Sequence, residues 1–567
     1  MAEFNETFDF VVVGSGGGSM CSGLFMRSLG KSVVILEKMQ YVGGTTARSG
    51  GVMWIPDNPF MKRDGIEDSL DKAMTYLDNT VGDHEDTPGA TRERRYTYLT
   101  QAPRMVDFLI RQGIKLNRQP YWPDYYDDRP GGSEKGRTVT AEYFDSNELG
   151  EWREKLQPGF MPLPAAMTDA MNIRYVKQSW IGKKWLVKLA ARMALAKLRK
   201  QNWVSAGAAL QGRMLQASLK AGVDIRINSG VSELIEENGA ITGVVTTRDG
   251  KPWRIGAKLG VLINAGGFSH NQRMRDKYQP GTQAKWSMVP AGDTGEMIEE
   301  MMRHGAAIAQ MEEMVGFQFF TPPGTENAMV KPGAQNLTAA PHVILVDQSG
   351  VRYMNEGGSY MLYCQNMFAR NKTVGAIPSW GIFDSQYVEK YGLANSIAGG
   401  WKLKDWVASG YFKKADTVEA LAKLINIDPA KLRATTDRFN GFVANGRDED
   451  FHRGERAYDN FLGDPYNKPS NTLGTLEKGP FYAVPIVPGD VGTYGGVVTD
   501  VNARVLREDG TVIPGLYATG ISTASVMGRT YPGAGSSVGP SFVWGFVAAT
   551  HAAGAGNMVG AEAMAAA

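Results

Sequence analysis

Residues 8–38, FDFVVVGSGGGSMCSGLFMRSLGKSVVILEK, restrict the possible folds more than any other part of the chain. An apolar run ends at Val13, and a turn of Gly14, Ser15, Gly16, Gly17 and Gly18 follows it. The pattern predicts a buried parallel strand, a helix to about Leu29 and a second strand from Ser32 to Leu36. Glu37 closes that second strand, where a carboxylate can accept hydrogen bonds from ribose hydroxyls. Glycine lets the backbone approach a pyrophosphate lying on the helix N-terminus. The third glycine of the usual pattern is replaced by Ser19. The strand before the turn, the helix after it and the acid in place still point to a dinucleotide. The alternative is a glycine-rich turn with a structural role only.

Composition excludes several classes. The 567 residues are 43% apolar and 21% charged, as in a globular protein of two or three domains. A net charge of +2 gives no general attraction to nucleic acid. Two cysteines, Cys21 and Cys364, are too few for a disulfide framework or a CxxC metal motif. They suit a reducing, cytoplasmic compartment. No metal-ligand spacing occurs, so no metal is expected. The N-terminal stretch lacks a charged-then-apolar pattern, so no signal peptide is expected, and no apolar run of about 18 residues occurs.

A second set of small residues, Gly43, Gly44, Thr45, Thr46, Ser49, Gly50 and Gly51, follows Glu37 and Lys38. It would let an extended cofactor pass along the backbone, which favours FAD over NAD. The segment EKMQYVGGTTARSGGVMWIP (37–56) resembles the flavoprotein family that includes fumarate reductases and ketosteroid dehydrogenases. Three further segments resemble it in order: VLINAGGFSHN (261–271), GDTGEMIEEMMRHGA (292–306) and VLREDGTVIPGLYATG (505–520). The resemblance implies FAD contacts at Ala265, Gly266, Asp293 and Gly520. It implies an α/β fold: a Rossmann-like FAD-binding domain built from residues 1–275 and 486–567, with an inserted α+β substrate (capping) domain at 276–485. No residue stands where the resemblance would place a covalent flavin link, so the FAD is expected to be non-covalent.

RTYPGAGSSVG (529–539) separates branches of that family. A proline fixes the pose of the preceding residue, so Tyr531 is held at the mouth of a glycine-rich turn. Fumarate reductases resemble one another in having an arginine there, as a dicarboxylate requires. A phenol carries no charge and suits a ketone oxygen. TYPGAG, PDYY (123–126) and RYMNEGGSYM (352–361) together resemble the 3-ketosteroid Δ1-dehydrogenases. Carried over, the Tyr531 hydroxyl and the Gly535 N–H bind the ketone, and Tyr360 takes the α-proton. Tyr125 supports Tyr360, and the β carbon gives its hydride to the flavin. Tyr363 competes for the role of Tyr360, and Tyr121 and Tyr126 for that of Tyr125. A helix beginning near Ser536, Ser537 and Val538 would direct its positive end at the flavin.

Residues 173–203, the core of an insertion at about 155–203, carry nine lysines and arginines and no acid. Trp185, Leu186, Leu189, Met193 and Ala196 are expected on one helical face, with Lys184, Lys188 and Arg192 beside it. Such a helix suits an anionic membrane surface; the alternative is a solvated helix packed on the flavin domain. A membrane-associated enzyme of this kind would take a steroid or a cholestenone-like sterol and pass electrons to an external acceptor such as a quinone. Three rival readings stay open: a 3-oxo-steroid Δ4-dehydrogenase, a fumarate-reductase-like enzyme, and a sterol-binding flavoprotein without turnover.

Overall fold

The apolar segment that ends at Val13 becomes the strand Glu6–Val13, whose last four residues are buried. It lies between two parallel neighbours, Val33–Leu36 and Lys251–Ile263. Burial on both faces explains why these strands read as near-continuous hydrophobic runs. The computed structural model describes residues 3–166, 169, 172, 174–325, 328, 331–391 and 403–555.

Around this core stands an eight-stranded sheet. Its main path runs Arg504–Leu506, Val512–Ala518, Lys251–Ile263, Glu6–Val13, Val33–Leu36, Asp224–Arg226. The strand Val512–Ala518 pairs parallel with Lys251–Ile263, so the C-terminal part of the chain completes the N-terminal sheet. A meander of Glu233–Glu237 and Ala240–Arg248 extends it. Its two tight turns carry Asn238-Gly239 and Asp249-Gly250, all at positive φ, as two-residue hairpins require.

A second, five-stranded antiparallel sheet contains Met314–Phe319, Phe481–Thr493, Ser379–Asp384, Val343–Val346 and Lys413–Ala415. The strand Phe481–Thr493 runs unbroken through residues 485 and 486, where the sequence reading placed a segment junction. Separate apolar cores back this sheet, one around Phe320 and Tyr387, another around Ile344 and Phe439.

Two helices join the ends of the chain. Gly17–Ser28 opens from the glycine turn, and Val538–Ala552 packs across it. A Cβ on Gly18 would sit 2.3 Å from the Ser541 carbonyl oxygen, and one on Gly545 2.3 Å from the Gly18 carbonyl oxygen. This contact explains the departure at position 19. The close approach is carried by Gly18 and Gly545, while the Ser19 hydroxyl is free to accept a bond from Asn264 Nδ2 at 2.9 Å.

The insertion helix Trp180–Leu198 differs from the expected single apolar face. Only Gly182, Leu189 and Ala196 are buried, a narrow seam at seven-residue spacing. The closest approach is at its first turn, where a Cβ on Gly182 would lie 2.8 Å from the Tyr175 carbonyl carbon. Leu186 and Met193 are exposed, as are Trp180, Ile181, Val187, Leu195 and Leu198. Among the described residues, no helix is long and apolar enough to cross a membrane.

Gly14 has φ +91°, and a Cβ there would come within 2.2 Å of the Asn264 carbonyl oxygen. Gly14→Ala is therefore expected to cost about 2–4 kcal/mol of stability from backbone strain and overlap. A lower Tm and a reduced flavin content in the purified protein would report it.

Candidate active site

The first sheet ends in a cradle. Gly14, Ser15 and Gly16 leave the strand Glu6–Val13 and line one side of a cavity of about 530 Å³. Glu37 and Lys38 follow the next strand into the same wall, and Gly44, Thr45, Thr46, Ser49 and Gly50 continue it. Ala265, Gly266, Asp293, Gly520, Ser537 and Val538 close the other side. Glu37 accepts from the Ser15 hydroxyl at 2.6 Å and from the Met39 N–H at 2.8 Å, which holds its carboxylate at the strand end. Burial pushes its pKa up, against the pull of these donors.

Five of the expected cofactor residues stand behind this surface. Gly17 lies against Phe542, Gly18 against Ser541 and Gly51 against Ala206 and Gly207. The Gly43 N–H donates to the Ser15 hydroxyl, and the Ser536 hydroxyl bonds the Gly533 carbonyl at 2.7 Å. Their smallness and hydrogen bonds shape the cradle.

The cradle fits a flavin dinucleotide. Its glycines leave backbone within reach of a diphosphate, and Asp293 turns an acceptor into the cavity. Asp293 Oδ1 accepts from the Gly267 N–H, whereas the buried Oδ2 has no hydrogen-bond partner. The nearby Ser269 hydroxyl lowers the Asp293 pKa without meeting hydrogen-bond geometry. Burial outweighs it and raises the carboxyl to about 6. A hydroxyl of the cofactor would satisfy that oxygen.

At the far end of the cavity are the phenols. Tyr531 and Gly535 come from the C-terminal turn, Tyr125 from the loop before the strand Thr138–Ala141, and Tyr360 from the first turn of Tyr360–Asn371. The Tyr125 N–H donates to the Pro532 carbonyl at 2.8 Å, and the Tyr76 hydroxyl donates to the same oxygen at 2.6 Å. Asp124, next in the chain, is held by Arg137 at 2.8 Å and by Trp54 Nε1 at 2.8 Å. The proline that fixes Tyr531 thus also fixes Tyr125.

Ring centroids are 5.4 Å apart for Tyr125–Tyr360, 5.1 Å for Tyr360–Tyr531 and 5.8 Å for Tyr125–Tyr531. The Tyr531 hydroxyl bonds Ser537 Oγ at 2.9 Å. Burial raises the pKa of all three phenols, most strongly for Tyr125 and Tyr360. For Tyr531, the Ser537 hydroxyl, Tyr360 and the N–H groups of Ser537 and Gly535 oppose the rise. The competing tyrosines do not reach the cavity: Tyr363 is buried in the core of the second sheet, and Tyr121 is exposed at the surface. Tyr126 is buried beside its own turn, with Ser359 and Arg129 lowering a pKa that burial raises.

Sequence reasoning missed Tyr458, which stacks on Tyr125 at 4.2 Å and accepts from Gln335 Nε2 at 3.1 Å. It lies outside every glycine motif, and no local signal singles it out. Asn264 was missed as well. It lines the cavity and reaches Ser19, and its place at the end of the strand Lys251–Ile263 was a usable signal. The apolar lining of Phe317, Trp122 and Trp406 likewise comes from distant segments.

Asp293 yields a prediction with a definite sign. Its carboxyl titrates near 6 when folded and near 3.9 when unfolded. The folded apoprotein therefore binds the extra proton, and this group's contribution to stability is lost as pH rises from about 4 through 6. Asp293→Asn should stabilise the apoprotein at pH 7, by on the order of 2 kcal/mol, and weaken FAD retention. Thermal unfolding of apoprotein and flavin titration check the two effects.

Residues 9–538 match the family described as FAD binding domain. The chain is 38% identical to the 3-oxosteroid 1-dehydrogenase of Mycolicibacterium smegmatis, over 96% of this chain and 97% of that protein. It is 34% identical to the 4-oxocyclohex-2-ene-1-carboxylate 5-dehydrogenase of Sinomonas cyclohexanicum, over 95% and 92%. The crystal structure of 3-ketosteroid delta1-dehydrogenase from Sterolibacterium denitrificans in complex with 1,4-androstadiene-3,17-dione superposes with a TM-score of 0.88. It shares 32% identity, over 97% of this chain and 100% of that one. With a dinucleotide cradle whose cofactor is FAD and a phenol cluster facing it, the chain belongs to the 3-oxosteroid 1-dehydrogenase family of FAD-binding flavoproteins.

Proposed function

We propose that the protein is a 3-ketosteroid Δ1-dehydrogenase that removes a proton from the carbon next to the steroid 3-ketone and a hydride from the carbon beyond it, leaving a double bond between the two. The observation that carries this reading is the cluster of Tyr125, Tyr360 and Tyr531 in an apolar cavity shared with the FAD cradle. Bound FAD supplies the acceptor for the departing hydride.

The chain's own work is on the ketone and the proton. Tyr531 and the Gly535 N–H hold the ketone oxygen, where charge grows as the α-proton leaves. Each fixed donor aimed at such an oxygen contributes about 3–4 kcal/mol to the transition state. Tyr360 takes the proton. Burial keeps its phenol neutral in the free protein, so it must first lose its own proton. Tyr125 lies within hydrogen-bonding influence of Tyr360, and Tyr458 within that of Tyr125. Gln335 bonds Tyr458 at the end of the row. Once Tyr360 has given its own proton to solvent, the hydroxyls of this row stabilise the phenolate by donating toward it.

The insertion helix supports docking on an anionic membrane surface. Its exposed apolar residues are interspersed with cations. Lys183 lies over the Trp180 ring at 4.5 Å and Lys188 over Trp185 at 4.2 Å. Such aromatic and basic pairs suit the headgroup region. The electrons then leave the flavin for an external acceptor of the quinone type.

Two expectations follow. Tyr531→Phe should lower kcat by about 100- to 1000-fold with little change in steroid binding, because its bond strengthens with the growing charge. Tyr360→Phe should abolish α-deuterium exchange, and wild-type turnover should rise with pH into the alkaline range. Assays that resolve Δ1 from Δ4 products test the reading itself: Δ4 products alone, or near-normal turnover by Tyr531→Phe, would refute it.

For the membrane contact, replacing Lys183, Lys184, Lys188 and Lys197 by glutamate should release the protein from anionic liposomes. Each basic residue near the surface contributes about 1 kcal/mol, and salt should weaken the binding. Arg192 is left intact because it bonds the Pro164 carbonyl and Asp169. Unchanged co-sedimentation of the reversed variant would mean that the helix does not dock.

A further inference from the structure

Buried arginines in this protein are paired. Arg137 meets Asp68 and Asp124, Arg275 meets Asp490, Arg352 meets Glu356 and Asp448, and Arg453 donates to the carbonyls of Val343 and Ala340. Arg174 is the exception. It is 4% exposed, yet Nε, Nη1 and Nη2 all lack a hydrogen-bond partner, which holds for no other buried arginine among the described residues. Its guanidinium lies over the Tyr175 ring at 4.9 Å and lines the same cavity as the phenols and the FAD cradle.

The surroundings place Arg174 on the capping side. Tyr175 donates to the Gly463 carbonyl, Lys177 to the Glu389 carbonyl at 2.8 Å and Gln178 to the Lys390 carbonyl at 2.7 Å. Asp464 is near enough to act, with Arg174, on the ionisation of Tyr391. Its oxygens, however, are taken by the Tyr391 hydroxyl and the Tyr466 N–H, both at 2.8 Å. The helix Ala457–Leu462 links this region to the phenols. Tyr458 stacks on Tyr125 near its start, and Gly463 follows its end. The axial rise between those two residues is roughly 8 Å. Arg174 thus enters the cavity from the Gly463 end of this helix, and Tyr125 from the Tyr458 end.

A buried guanidinium with every donor unused is costly unless an anion completes it. Its planar fork matches a carboxylate, which it can bind with two parallel hydrogen bonds. Lys331 lines the same cavity and adds positive charge. We infer that the site takes 3-ketosteroids bearing a carboxylate on the side of the molecule remote from the ketone, and that Arg174 binds that carboxylate. This inference rests on the 3-ketosteroid reading given above. It narrows the substrate class to acidic steroids, with an apolar ring system between a gripped ketone and a gripped anion.

The test compares three substrates on the flavin-loaded enzyme: 3-oxochol-4-en-24-oate, its methyl ester, and androst-4-ene-3,17-dione. The acid should exceed its ester in kcat/KM by about 10- to 100-fold, mainly through KM, as a charge-assisted pair implies. In Arg174→Gln this acid-to-ester ratio should fall to near unity, and Arg174→Lys should restore part of it. Equal use of acid and ester by the wild type overturns the inference, as does an unchanged ratio in Arg174→Gln. The wild-type comparison and Arg174→Lys decide the matter even if Arg174→Gln does not fold. Turnover of androst-4-ene-3,17-dione without preference for the acid defeats only the inference; absence of turnover on all three defeats the 3-ketosteroid reading with it.

Discussion

The structure depends on the close packing of Gly17–Ser28 against Val538–Ala552. Gly18 and Gly545 leave no room for a Cβ between the helices. The contact is also polar: the Gly18 N–H donates to Ser541 Oγ at 3.2 Å, and Thr519 Oγ1 donates to the Ser541 carbonyl at 2.8 Å. It brings a segment more than 500 residues away to the mouth of the first βαβ unit. The turn that carries Tyr531 and Gly535 immediately precedes the second helix, so the same contact sets both residues beside the dinucleotide cradle. A looser packing would separate them.

A second layer of constraint is ionic. Arg137 and Asp68 are fully buried, and Asp124 nearly so, beneath the loop that presents Tyr125. Buried ion pairs add little net stability, because desolvation offsets the attraction, but breaking one by removing a partner costs about 3–5 kcal/mol. Their effect here is directional. Asp124 takes donors from Arg137, Trp54 and the Ser133 N–H, so the peptide leading into Tyr125 has one pose. The buried Arg275–Asp490 pair does the same for the second sheet, tying Phe481–Thr493 to the helix Gln272–Tyr278. Positions of catalytic groups matter at the ångström level, and rigid supports of this kind supply it.

The phenols illustrate a cost of such rigidity. An apolar, water-free pocket strengthens every donor aimed at a developing oxyanion. The same desolvation holds tyrosines in their neutral form, as it does for Tyr125 and Tyr360. A site that needs both a strong donor and a phenolate base must place further donors beside the base to hold its charge. Tyr125 lies beside Tyr360, and Tyr458 stacks on Tyr125, an arrangement that a solitary tyrosine would lack.

Much of this was legible in the sequence because it is local. A strand, a glycine turn and a closing acid are set by residues within thirty positions of one another, and backbone sterics leave them few conformations. The dinucleotide cradle, the hairpin turns at Asn238-Gly239 and Asp249-Gly250, and the pose of Tyr531 before its proline belong to this class. Other features were decided only by tertiary structure. Tyr458 lies outside any motif, and Arg174 is one of nine cations in the basic stretch with nothing local to set it apart; what surrounds each comes from the fold, Tyr125 in one case and no hydrogen-bond acceptor in the other. The insertion helix was misread as one-faced, because periodicity records which residues are apolar and not which are covered. Only the packed structure shows that a seam of Gly182, Leu189 and Ala196 suffices to hold it. Burial, pairing and desolvation are properties of neighbours, and neighbours far apart in sequence are fixed by the fold alone.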